Sequence, residues 1–170
     1  VRYTDEYKAL QQQLHAQGNY GNSGHKHAGY IFQLAKQLNT REVLDYGCGQ
    51  CGLAKALPFK ITNYDPMQPD FAREPEPHDL VVCSDVLEHI EPDCLDDVLD
   101  HLYEVTKKAL FVDVACRPAK KTLADGRNAH LIQWEPSIWL RFFLAGYKEK
   151  QFKPTFFQAY EGGFIAVLTK

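Results

Sequence analysis

The chain has 170 residues, 19 Lys and Arg against 22 Asp and Glu, and a formal net charge of −3. At 45% hydrophobic and 24% charged it has apolar side chain enough for the core of one ordinary domain and too little length for two, which excludes disorder, collagen and coiled coil. A sequence pI near 6.2 argues against bulk nucleic-acid binding, which needs a dense basic face to displace counterions. No apolar run approaches the roughly 18–20 residues of a membrane span, and the opening residues Val1 to Asp5 do not read as a signal peptide. The expectation is a soluble, cytoplasmic protein with no membrane partner; the missing initial methionine suggests that native residues precede Val1. Cys48, Cys51, Cys83, Cys94 and Cys116 are an odd number of scattered cysteines, as in reduced intracellular proteins. Cys48 and Cys51 have the spacing of a redox or zinc pair, but no second pair accompanies them.

Without repeats, the organisation follows from alternating periodicities. Residues 1–40 read as a helical and glycine-rich cap, and residues 41–170 as the core of the same domain. Within the cap, Gly18 to His27 is too glycine-rich for a helix interior, whereas Ile31, Leu34, Ala35 and Leu38 form one helix face ending near Asn39. Glu42 to Tyr46 is a short strand that runs into Gly47-Cys48-Gly49, and helical spacing resumes from Gly52 until Pro58. A strand over Lys60 to Tyr64 ends in Asp65-Pro66, and four prolines, Pro66, Pro69, Pro75 and Pro77, make the next stretch an irregular loop. Asp79 to Ser84 is an apolar run suited to a sheet buried on both faces. Pro92-Asp93 opens a helix with Leu95, Val98, Leu99 and Leu102 inward, and Ala109 to Ala115 is a further strand. Glu135-Pro136-Ser137 begins a helix that Gly146 is placed to end. Glu149 to Phe157 and Phe164 to Thr169 then read as an antiparallel hairpin. The expected architecture is a three-layer α/β sheet, mostly parallel, closed by that hairpin.

Gly47, Cys48 and Gly49 stand where a parallel strand hands over to a helix, the position at which open α/β sheets bind ligands. Asp45 precedes the glycines, and Asp65 ends the next strand 20 residues later, where a carboxylate can accept both hydroxyls of a ribose. The string from Gly47 to Gly52 formally matches the dinucleotide-binding G-x-G-x-x-G, which keeps an NAD(P)-dependent oxidoreductase in view. Asp45, however, would repel a pyrophosphate and suits a cationic ligand.

Val43 to Gly49, Asn63 to Pro66 and Asp79 to Ile90 together resemble the class I S-adenosylmethionine-dependent methyltransferases, and the closing hairpin extends the likeness to Lys170. The resemblance implies a Rossmann-like sheet and S-adenosylmethionine as cofactor, with S-adenosylhomocysteine as product. It places Gly47, Cys48 and Gly49 against the methionine part and Asp65, followed by Pro66, at the ribose. Ser84, Asp85 and Val86 fall near the adenine and the methyl centre. Only 14 steps separate Asp65 from Asp79, too few for the helix, strand and helix that usually intervene. The third strand is therefore expected to be lost or vestigial, leaving about six.

Asp85, Glu88 and His89 follow at i, i+3 and i+4, and if they open a helix they share one face at the carboxyl edge of the sheet. Small-RNA 2′-O-methyltransferases and ubiquinone-pathway O-methyltransferases carry an acid, two residues, then Glu-His here, and the former add a distant histidine. By that likeness Glu88, His89 and His130 are candidate ligands of a divalent metal, and Asp85, Glu88, His89 and His130 the catalytic candidates. Asp85 is shorter than the usual Glu, and metal-free roles for this group, as a general base or as an acidic helix start, stay open. His25, Lys26 and His27 in the glycine-rich stretch, with Arg117 and Arg127 after the last parallel strand, are candidate binders of an anionic substrate. A small-molecule, nucleotide or sugar-like acceptor, methylated on a hydroxyl, is the expectation. The remaining alternative is a non-catalytic cofactor-binding subunit.

Overall fold

The computed structural model describes residues 1–18 and 20–170, with only the backbone over 146–150; Asn19 of the glycine-rich stretch lies outside the described residues. Six strands form one sheet: β1 (Val43–Tyr46), β2 (Thr62–Tyr64), β3 (His78–Ser84), β4 (Thr106–Ala115), β5 (Lys153–Tyr160) and β6 (Gly163–Thr169). Their order is β2-β1-β3-β4-β6-β5, with β1 to β4 parallel and β6 antiparallel to both neighbours. The short Asp65–Asp79 interval has the expected consequence: it holds a 3₁₀ turn, Pro69–Phe71, but no strand, and β2 is left as the sheet edge.

Strand alternation assigns the two faces. Val43, Leu80, Val82, Phe111 and Val167 pack with Ile31 and Ala35 of α2 (Ala28–Gln37) and Leu53 of α3 (Gly52–Ala56). Leu44, Val81, Val112, Phe164 and Leu168 face α4 (Leu95–Glu104) and α5 (Pro136–Lys150), where Leu99, Leu102, Trp139 and Phe143 are buried. The period of two in the strands thus meets the helix stripes on both sides. A third cluster joins Tyr7 and Leu14 of the first helix, α1 (Asp5–His15), to Leu123 and Ala129. It packs α1, N-capped by the Thr4 hydroxyl, against the loop after β4.

Three local expectations are corrected. Gly146 does not end α5, which continues to Lys150, so the hairpin's first strand starts at Lys153 rather than Glu149 and runs on to Tyr160. Asp85, Glu88 and His89 do not share a helix face: Asp85 has φ of 53° and only Leu87–His89 forms a 3₁₀ turn. A left-handed residue turns the backbone out of the helical path and breaks the i, i+3, i+4 geometry.

Candidate active site

The carboxyl ends of β1 to β4 open into a cavity of about 490 Å³, within the range of small-ligand pockets. The turn after β1 requires glycine at two positions. Gly47 has φ of 81°, and a Cβ there would lie 2.4 Å from Val86 Cγ2; Gly49 has φ of 49°, and its Cβ would lie 2.6 Å from the Gly21 carbonyl oxygen. The N–H groups of Gly47 and Cys48 donate to the Tyr64 carbonyl at 2.7 and 3.1 Å, binding this turn to the end of β2. Asp65 locks the arrangement: Oδ2 accepts the Gly49 N–H at 3.0 Å and Oδ1 the Met67 N–H at 2.9 Å. Each oxygen keeps lone-pair capacity toward the cavity that Asp65 lines. Behind the turn, buried Asp45 is pushed up to about 7 by burial and by neighbouring Asp65. Its Oδ2 has no hydrogen-bond partner.

A second group forms where Leu87–His89 meets the loop after β4. Glu88 is fully buried; Oε1 accepts the Ala115 N–H at 3.0 Å and Oε2 has no partner. Burial first, then the charge of Asp85, pushes its carboxyl up to about 8. The His89 Nδ1–H donates to the Ala129 carbonyl at 2.7 Å and the His130 Nδ1–H to the Arg117 carbonyl at 2.5 Å. Because a carbonyl only accepts, either ring in its neutral form carries its lone pair on Nε2. The rings meet edge to face with centroids 4.7 Å apart, and one ligand atom from each of Glu88, His89 and His130 lies within 4.8 Å of the others. Burial, with His130 adding to it, lowers His89 to about 4. It is therefore a neutral imidazole at pH 7 and a weak base. An orphaned carboxylate oxygen beside two imidazoles held through Nδ1 suits a divalent cation, since carbonyl partners on the far nitrogen orient metal-binding histidines.

Asp85 belongs to a different network. Its Oδ2 accepts from Lys26 Nζ at 2.7 Å and from the Ser23 hydroxyl. Asp113, buried within β4, accepts from His27 Nε2 at 2.8 Å, Tyr160 Oη at 2.6 Å and Lys26 Nζ at 3.3 Å. Burial opposes ionisation of Asp113, but the His27 and Tyr160 hydrogen bonds and the Lys26 charge outweigh it and hold the carboxyl below its ordinary value. The sequence reading missed Asp113, and it took Lys26 as a donor to an anionic substrate rather than as the partner of two acids. The one signal for Asp113 was an acid inside an otherwise apolar strand.

Of the residues expected from sequence, Gly47, Gly49, Asp65, Pro66, Asp85, Val86, His89, Arg117 and His130 line the cavity. Asp45, Cys48, Ser84 and Glu88 stand outside its lining; Cys48 is buried and the Ser84 hydroxyl donates to Asp113 at 3.4 Å. His25, His27 and Arg127 are engaged elsewhere: His25 Nδ1–H donates to the Asn22 carbonyl at 3.0 Å, His27 to Asp113, and Arg127 pairs with Asp125 at 2.6 Å. Tyr7, Gln11, His15 and Tyr20 of the N-terminal segment line the cavity and were not anticipated. Tyr7, Gln11 and Leu14 at i, i+4 and i+7, all buried, are the helical spacing that marks that face. The five cysteines are free, with Cys48 and Cys51 Sγ 4.0 Å apart. Among the described residues no helix is long and apolar enough to cross a membrane.

Residues 22–152 match the family model of a methyltransferase domain. No curated protein matches the sequence. Solved structures with the same fold include the methyltransferase domain of bacterial CtHen1, 18% identical over 88% of this chain and 99% of that one, TM-score 0.61. The 1,6-didemethyltoxoflavin N1-methyltransferase of Burkholderia thailandensis is 16% identical over 100% and 91%, TM-score 0.64. DhpI, solved with S-adenosylhomocysteine, is 12% identical over 97% of each chain, TM-score 0.62. The chain belongs to this methyltransferase family; it is a class I S-adenosylmethionine-dependent methyltransferase.

Proposed function

We propose that this chain moves the methyl group of S-adenosylmethionine to a hydroxyl of a small or terminal, anionic acceptor, and that Glu88, His89 and His130 hold a divalent cation beside that hydroxyl. The observation that carries the reading is the buried, unpartnered Glu88 Oε2 next to two imidazoles that face the cavity shared with the glycine turn. Gly47 and Gly49 admit the cofactor's methionyl part, Asp65 accepts the ribose hydroxyls, and Val86 and Met67 flank the adenosine. When bound, the cation supplies positive charge that lowers the pKa of a substrate hydroxyl. Methyl transfer is an in-line displacement, so positioning by these side chains supplies much of the rate.

The acceptor's charge is read from the cavity rim. Arg117 and Lys120 line it, and neither forms an ion pair among the described residues. Asn128 fastens this loop, accepting the Ala119 N–H at 2.9 Å and donating to the Ala119 carbonyl at 2.9 Å. His130 ties the same loop to the triad through Arg117. A phosphate or carboxylate on Arg117 and Lys120 would bring a nearby hydroxyl toward His89 and His130.

Calorimetric titration of S-adenosylmethionine with and without Mg²⁺, Mn²⁺ or Zn²⁺ tests the first half. Methyl transfer to nucleoside monophosphates and sugar phosphates, against the same compounds without phosphate, tests the second. The reading expects turnover that chelation abolishes and a preference for phosphorylated acceptors that Arg117→Ala removes. Full activity after chelation would overturn the cation and leave His130 Nε2 as the proton acceptor.

A further inference from the structure

Cys48 and Cys51 carry none of the chemistry assigned above, and packing does not account for the second of them. Cys51 heads α3 with φ of 58° and ψ of 39°, a left-handed conformation that glycine adopts freely and a side chain adopts at a cost. Its thiol makes no helix-capping hydrogen bond, and among the described residues it joins none of the apolar clusters. It donates instead to the Cys48 thiol, with the sulfur atoms 4.0 Å apart.

The backbone between the two thiols is already shaped for a bond. The Cys51 N–H donates to the Cys48 carbonyl at 2.8 Å, and such a turn brings its end Cα atoms within about 7 Å, near the span of about 4.4–6.8 Å that a disulfide needs. Cys48 is buried and Cys51 half-buried, so an oxidant in solvent meets Cys51 first. Burial pushes both thiols above their ordinary value, which slows their oxidation at neutral pH and lets it quicken as pH rises. To bond, the sulfur atoms must close from 4.0 Å to about 2.05 Å. Both ends of the turn are held, Cys48 through its N–H on the Tyr64 carbonyl at 3.1 Å and α3 through buried Leu53. The displacement therefore falls on Gly49 and Gln50, the residues enclosed by the ring. Gly49 lines the cavity and gives its N–H to Asp65 Oδ2 at 3.0 Å, and Gln50 gives its N–H to the Gly21 carbonyl at 3.0 Å.

We propose that Cys48 and Cys51 are an oxidative modification site, forming a reversible disulfide that weakens cofactor binding when a hydroperoxide is present. The Cys51 thiolate attacks an oxygen of hydrogen peroxide, the O–O bond breaks, and the departing hydroxide takes up the thiol proton as water, leaving Cys51 as a sulfenic acid. The Cys48 thiolate then attacks that sulfur, the S–O bond breaks, and a second water leaves. The two thiols together give up two hydrogens and two electrons, and the peroxide is reduced to two waters. Small thiols reverse the bridge by exchange. The effect on binding rests on the cofactor reading above; the bridge itself does not.

The test treats the whole chain with hydrogen peroxide and then with dithiothreitol, beside Cys51→Gly, which puts glycine at the left-handed position. Mass mapping of an unreduced tryptic digest reads the segment from Glu42 to Lys55, which holds no other cysteine. That segment should be two hydrogens lighter in oxidised wild type and return to its first mass after dithiothreitol. By calorimetry, oxidised wild type should bind S-adenosylhomocysteine roughly 10- to 100-fold more weakly, the worth of one charged hydrogen bond, and reduction should restore it. Cys51→Gly should bind alike before and after peroxide. An unchanged segment, or one that gains oxygen without losing hydrogen, would overturn the modification site. A bridge that leaves affinity unchanged, or an equal loss in Cys51→Gly, would overturn its effect on the cofactor. Reduced wild type that fails to bind S-adenosylhomocysteine would remove the cofactor reading, and the mass map, which needs no ligand, would still decide the bridge.

Discussion

Glu88→Gln tests the triad without knowledge of the acceptor. In the folded chain Glu88 is pushed up to about 8, by burial first and Asp85 second, against an ordinary value of 4.5. Between those values the folded state keeps a proton that the unfolded state has lost. Its contribution to stability is therefore fully present below pH 4.5 and is lost as pH rises, at about 1.4 kcal/mol per unit, through the folded value near 8. Over that window the loss is on the order of 5 kcal/mol. Glutamine does not titrate and can still accept the Ala115 N–H. Urea unfolding in the presence of chelator, repeated from pH 5 to pH 9, should show the variant gaining on wild type by several kcal/mol as pH rises. A divalent cation displaces the same proton, so Mn²⁺ at 100 times its Kd should restore about 2.7 kcal/mol to wild type at pH 8 and far less to the variant. Parallel pH curves for the two proteins would refute the assignment of a buried, proton-holding Glu88. A pH slope without metal stabilisation would leave an acid cluster and remove the cation.

Four further outcomes follow from the same geometry. Asp65→Ala leaves the Gly49 and Met67 N–H groups without their acceptor and should weaken S-adenosylhomocysteine at least tenfold by calorimetry, by roughly the worth of one charged hydrogen bond or more. Gly47→Ala places a methyl 2.4 Å from Val86 Cγ2 at positive φ; it should cost about 1–3 kcal/mol in chemical unfolding, and Val86→Ala should recover part of that loss. S-adenosylmethionine affinity should rise from pH 6 to pH 8 by up to about tenfold as Asp45 ionises, because a cationic ligand favours the carboxylate that burial and Asp65 hold up to about 7; Asp45→Asn should flatten the profile. His89 carries the opposite pH sign to Glu88: its depressed value gives stability that is present above pH 6.5 and lost as pH falls through about 4, so His89→Leu should remove about 3 kcal/mol of acid sensitivity.

How far the sequence discloses this molecule depends on the kind of interaction involved. The turn at Gly47 and Gly49 was legible because backbone φ and a missing Cβ leave an unambiguous residue signature. The loss of one strand was equally legible, since the interval from Asp65 to Asp79 is a matter of chain length. Glu88, His89 and His130 were grouped through a family resemblance, and the fold brings one ligand atom of each within 4.8 Å of the others; the two backbone carbonyls that orient the imidazoles were not legible, because nothing in a sequence reports which carbonyl faces which ring. The ends of α5 and β5 were misplaced for a related reason: Gly146 is compatible with a helix interior at a cost of about 1 kcal/mol, and flanking contacts decide whether it terminates one.

The N-terminal segment is where the reading was weakest. Hydrophobic periodicity reports burial against a sheet or helix face, and Ser23, Lys26 and His27 are held instead by polar contacts to acids from 59 to 87 residues away, which have no period. Asp85 shows the consequence. Sequence spacing grouped it with Glu88 and His89, yet its left-handed backbone and the Lys26 ammonium give it a separate set of hydrogen-bond partners. The i, i+3, i+4 rule presumes the helical dihedrals that a residue at φ of 53° does not have. Two acids three residues apart in the chain, Asp85 and Glu88, thereby take different partners: one accepts from Lys26, the other keeps a buried, unpartnered oxygen beside two imidazoles.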